Sequence, residues 1–113
     1  MSKILIIITL EKNEIDNVMA GLNLAYYIKL RDHSEEIKII LHGQSKESVV
    51  LDNKGVKDLI IKLINLGIGI FASKNDSDNF KLNMELEKLG INVDNFEKLL
   101  TKYMRQGYIP MKF

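Results

Sequence analysis

The chain has 113 residues, a formal net charge of +1, 46% hydrophobic and 27% charged residues, and no cysteine. That length suits a single domain, 1–113, around one core, and the near-neutral balance lacks the concentrated basic face that nucleic acid requires. Without a thiol, disulfides, thiolate catalysis, cysteine-based metal sites and persulfide carriage by these residues are all excluded.

Met1-Ser2-Lys3 leads directly into a short apolar run, Ile4 to Ile8. A secretory core would be longer and end in small residues, so a first strand and a cytoplasmic location are expected. No stretch approaches the roughly 20 apolar residues of a membrane helix, and no membrane association is expected.

Ile4 to Thr9 is largely β-branched and does not alternate, the pattern of a parallel strand covered on both faces. Leu10 to Asn13 is a polar turn in which Asn13 can cap the next helix, with Asp16 near the positive end of the helix dipole. Ile15, Val18, Met19, Leu22, Ala25 and Tyr26 then recur at helical spacing, so that helix runs to about Leu30. Ile37 to Leu41 is a second strand, with His42-Gly43-Gln44-Ser45 as its turn and Ser45 as the cap of a short helical segment to Leu51. Asp52 to Gly55 breaks the chain. Val56, Leu59, Ile60, Leu63 and Ile64 mark an amphipathic helix stopped by Leu66-Gly67.

Ile68 to Ala72 is the third strand and gives way to a polar turn, with Asn75-Asp76-Ser77 as turn and cap. Leu82, Leu86 and Leu89 predict a further helix, and Ile91 to Val93 a short fourth strand. Asp94 and Glu97 approximate a capping box, followed by an inner stripe of Phe96, Leu99, Leu100, Tyr103 and Met104. Tyr108 to Phe113 is a last strand. It carries Pro110, which has no amide hydrogen to give a ladder, so the strand belongs at a sheet edge.

Strand alternating with helix predicts a three-layer α/β/α sandwich with a mainly parallel sheet. The carboxyl ends of parallel strands share one rim, where ligands bind in this class. That rim gathers Thr9 to Asn13, His42 to Ser45, Ser73 to Ser77, and Asp94. The ligand-binding candidates are Thr9, Lys12, His42, Gly43, Ser73, Lys74 and Asn75. Ser73 and His42 share the rim as a nucleophile and a base would, although the commoner role of such a serine is to bond the amides of its own turn. Lys12 and Lys74 suit an anion beside helix amino termini. His33 lies in a polar turn. No metal site is expected: the histidines lack ligand spacing, and Asn75, Asp76, Asp78 and Asn79 lack the glycine and terminal glutamate of a calcium loop. Gly67 and Gly69 precede a strand and open no helix, so they are not a dinucleotide fingerprint. No cofactor is expected. Tyr26, Tyr27, Met104 and Tyr108 are expected in the core or at a subunit contact.

The chain resembles the DsrE/DsrF-like family of small α/β proteins. The pattern comprises Lys3-Ile4-Leu5-Ile6-Ile7, Gly21-Leu22-Asn23-Leu24-Ala25, Lys38-Ile39-Ile40-Leu41-His42-Gly43, Gly67 to Ser73, and Gln106-Gly107-Tyr108-Ile109. The resemblance implies a five-stranded parallel sheet in the order 4-3-2-1-5, with helices on both faces. It also implies assembly into dimers, trimers or hexamers. Several members carry sulfur as a persulfide on a cysteine at the end of the third strand. That position is matched here by Ser73, or by Ala72 if the register slips by one. The expected function is therefore that of a cysteine-less, oligomeric binding or accessory protein without sulfur transfer of its own. Two alternatives stand beside it. One is a non-thiol enzyme acting on a small anionic substrate at the Ser73/His42 rim. The other is a structural subunit of a sulfur relay whose thiol comes from a cysteine-bearing paralogue.

Overall fold

The first strand, β1 (Lys3–Thr9), runs between two parallel neighbours, which is why its apolar run is unbroken. The structure is a computed structural model and describes residues 2–10, 15–43, 46–74 and 80–113. The chain continues through α1 (Ile15–Arg31), β2 (Glu36–His42), α2 (Lys46–Asp52), α3 (Lys54–Asn65) and β3 (Gly69–Ser73). It closes with α4 (Phe80–Lys88), β4 (Asn92–Asp94), α5 (Phe96–Arg105) and β5 (Ile109–Lys112). The sheet has five strands, all parallel, in the order β4-β3-β2-β1-β5, as expected.

This order dictates where the helices lie. The steps from β1 to β2, β3 and β4 all move in one direction, so right-handed crossovers place α1 to α4 on one face. The jump from β4 back across the sheet to β5 moves the other way and sends α5 to the opposite face. The packing agrees. Ile6, Ile8, Ile39, Leu41, Ile70 and Ala72 meet Leu22 of α1, Val50 of α2, Leu63 of α3 and Leu86 of α4 in one aliphatic core. Leu5, Ile7, Ile40 and Phe71 meet Leu99 and Tyr103 of α5, with Tyr108 beside them, in a smaller and more aromatic one.

The edge position of β5 has a simple backbone explanation. The Phe113 amide donates to Ile7 at 2.8 Å and the Thr9 amide donates to Phe113 at 3.1 Å, so residue 113 turns its backbone groups toward β1. By alternation 111 and 109 do the same, and Pro110 faces the open edge, where a missing donor costs nothing.

Several local expectations are corrected. His42 and Ser73 are the last residues of β2 and β3 and do not open turns, while β3 begins at Gly69. The break expected over residues 52–55 narrows to Asn53, whose side chain caps α3 by accepting from the Val56 amide at 3.0 Å. Asn95, and not Asp94, caps α5, accepting from the Lys98 amide at 3.0 Å. Asp94 still ends β4, and its carboxylate accepts from the Asn95 amide at 2.8 Å. Met104 leaves the predicted inner stripe and is exposed. Of the tyrosines expected in the core or at a subunit contact, Tyr108 is buried and Tyr27 is exposed. The caps assigned to Asn13 and Ser45 and the turn at Asn75-Asp76-Ser77 lie outside the described residues.

Candidate functional site

Successive strand residues point to opposite faces, so counting by twos from the core shows which rim side chains share a side. Leu5 and Ile7 lie on the α5 face, and Thr9 follows them. Ile40 leads to His42, and Phe71 leads to Ser73. The register pairs Thr9 with His42 and Ser73 with Asp94, and the Leu41–Ala72 pair brings His42 level with Ser73. Thr9, His42, Ser73 and Asp94 thus form one polar row across the carboxyl ends of four strands. It lies directly above the apolar row of Ile7, Ile40 and Phe71.

The centre of the row is a hydrogen bond between His42 Nδ1 and Ser73 Oγ, 2.9 Å long. Which atom donates depends on the imidazole tautomer. The His42 ring stacks on Phe96, with centroids 4.1 Å apart and planes 24° from parallel. Phe96 is the first residue of α5, set there by the Asn95 cap, so the helix start positions the aromatic platform. Ser73 has no exposed surface, whereas His42 keeps some. A hydroxyl sealed beneath the surface is a poor candidate for attack on a substrate. The same hydroxyl is well placed to fix the orientation of the partly exposed imidazole above the core.

The backbone behind His42 is tightly constrained. Its carbonyl accepts from the Leu10 amide at 2.7 Å, and the next residue, Gly43, has φ +127°. A Cβ at Gly43 would stand 3.0 Å from the Leu10 carbonyl oxygen, so both the conformation and the space demand glycine.

On the other side of Ser73, the Lys74 amide donates to the Asp94 carbonyl at 2.8 Å, and the Lys74 side chain is exposed. The Asp94 carboxylate is held below the ordinary aspartate pKa, chiefly by the Asn95 amide and then by Lys98, whose Nζ lies 3.3 Å away. The chain leaves β3 toward the α4 face and β4 toward the α5 face. The topological switch point, where this fold class opens a crevice, therefore falls between Ser73 and Asp94.

Of the seven ligand-binding candidates, the structure brings Thr9, His42, Gly43, Ser73 and Lys74 to the same rim. Lys12 and Asn75 lie outside the described residues. The turn-serine reading of Ser73 is replaced by a buried contact to His42, and His33 is exposed. Phe96 was not foreseen as part of the site. The available signal was its place directly after a capping residue at the carboxyl end of a strand. Among the described residues no cluster of histidine, aspartate and glutamate could hold a metal ion, and no helix is long and apolar enough to cross a membrane.

Neither a known family model nor a curated protein matches the sequence. Solved structures do match the fold. The conserved protein of unknown function BT1422 from Bacteroides thetaiotaomicron is 25% identical, with a TM-score of 0.77 over 96% of this chain and 94% of that one. The ychN protein of E. coli is 11% identical, with a TM-score of 0.73 over 100% of both chains. Both fit the DsrE-like α/β fold that the sequence pattern resembles.

Proposed function

We propose that this chain is a DsrE-like binding or accessory module that works as a homo-oligomer and carries no sulfur itself. One observation carries the reading. The residue closing β3, where the resemblance calls for a persulfide-bearing cysteine, is a serine with no exposed surface, tied to His42 at 2.9 Å. A hydroxyl is almost never ionised near neutral pH, and this one is also shielded. What the rim offers instead is the partly exposed His42 imidazole, oriented by Ser73 and Phe96, with Thr9 opposite it in the strand register. Such a surface suits holding a small ligand or docking a partner. A cysteine-bearing paralogue in a mixed assembly is one partner that would restore the missing thiol chemistry.

The 2.9 Å Ser73–His42 contact favours a second reading, a non-thiol enzyme with Ser73 as nucleophile acting on a small anionic substrate. One variant separates the two. A thiol introduced as Ser73→Cys is expected to react with a disulfide reagent at least about a hundredfold more slowly in the folded protein than in urea, as the burial demands. Reaction at the unfolded rate would open the site and support the enzyme. Light scattering and native mass spectrometry of the purified protein test the module itself. An oligomer with a retained small molecule is expected, and a strict monomer that retains nothing would overturn it.

A further inference from the structure

Helix α1 differs from the other long helices of this protein on its outer side. The solvent side of α3 carries Lys54, Asp58 and Lys62, and that of α5 carries Glu97, Lys98, Lys102 and Arg105. Between Asp16 and Lys29, α1 has no charged residue at all. Val18, Leu22 and Ala25 are buried in the core. The opposite side presents Ala20, Asn23, Leu24, Tyr27 and Leu30, spaced three and four apart, with Tyr27 61% and Leu30 43% exposed. A helix without charge on its outer side suits a buried setting, yet Ala20, Tyr27 and Leu30 are exposed and Asn23 and Leu24 partly so.

The charges that α1 does carry are at its ends and opposite in sign. Asp16 sits in the first turn and Arg31 in the last, and neither pairs with a described residue. Lys29 is already committed, donating to the carbonyls of His33 at 2.9 Å and Glu35 at 2.7 Å.

We propose that the outer face of α1 is a twofold interface that takes the same face of a second copy of this chain, packed antiparallel. The proposal rests on the oligomeric reading above and names its surface. With the axis beside Asn23 and Leu24, Asp16 lies alongside the partner's Arg31 at both ends of a helix about 25 Å long. Small Ala20 faces the partner's large Tyr27, and the reverse, so the two stripes interlock. The helix dipoles oppose each other favourably. A parallel arrangement would instead set Asp16 against Asp16 and Arg31 against Arg31. Asn23 makes no side-chain hydrogen bond to a described residue, and at the axis it meets its own copy. A single polar residue in an apolar seam selects one register in this way.

The test is sedimentation-equilibrium centrifugation of the wild type and three variants, with circular dichroism to show that each folds. The wild type is expected to dimerise through this face, and A20R, which places a long cation in the seam, to weaken the contact at least about a hundredfold. D16R alone should weaken it about tenfold, and D16R combined with R31D should recover most of that loss. An oligomer indifferent to A20R, or a double variant no better than D16R, would overturn the surface and leave the oligomeric reading standing. A monomeric wild type would overturn both.

Discussion

The two faces of the sheet are built to different ends. On the face covered by α1 to α4, the side chains of the central strands are aliphatic from end to end, and the core continues to the carboxyl rim with Ile8, Leu41 and Ala72. On the face covered by α5 alone, the same strands stop being apolar one residue early. Ile7, Ile40 and Phe71 are followed by Thr9, His42 and Ser73, and aromatic rings replace aliphatic packing. The first face stabilises, and the second spends part of its burial on a polar pair held in fixed geometry. A single helix leaves a layer thin enough at its start for His42 to remain partly exposed. On the other side Ile8, Leu41 and Ala72 are buried up to the rim.

The largest expected effect lies on the aliphatic face. Leu63 is fully buried against the sheet, and Leu63→Ala is expected to lower unfolding free energy by about 3 kcal/mol, measured by urea denaturation. A loss below about 1 kcal/mol would mean that this face is not the main source of stability. On the α5 face the counterpart is Phe96, which is half-buried. Phe96→Ala is expected to cost about 2 kcal/mol, less than the roughly 3 to 5 of a fully buried phenylalanine. It should also shift the His42 ring protons in NMR spectra as the stacked ring current disappears. Unmoved imidazole resonances would break the link between α5 and the rim.

The smallest effect concerns Asp94. Its folded-state pKa is lowered, so its contribution to stability is present above the unfolded-state value and disappears as pH falls through the folded value. Asp94→Asn should therefore shift the urea midpoint slightly at neutral pH and not at all once the solution is acidic enough to protonate Asp94 in the folded protein. The side chain is 42% exposed and screened by solvent, which keeps the difference small. A shift that persisted unchanged in acid would assign it to packing and not to charge.

Much of this is legible in the amino-acid sequence. The unbroken apolar run of β1, the amphipathic spacing of α3 and the proline in β5 each reflect a local rule with one dominant cause. Together they specified a parallel sheet with β5 at its edge. Alternation could even have placed His42 and Ser73 on one side, since each stands two residues beyond a residue of the α5-face core. Element ends were less legible. Whether His42 and Ser73 close strands or open turns depends on hydrogen bonds to segments distant in sequence, such as that from Leu10 to His42, which no local pattern encodes.

The amino-acid order alone determined the alternation of strand and helix and the absence of any sulfur nucleophile, because periodicity and side-chain chemistry are properties of short segments. Tertiary structure decided that Ser73 is sealed, that its partner is His42, and that Phe96 supports the imidazole. Those contacts join residues 31 and 54 positions apart in the chain, brought together by strand register and by the return of α5 across the sheet. Distance in sequence says nothing about such neighbours until the strand order is known.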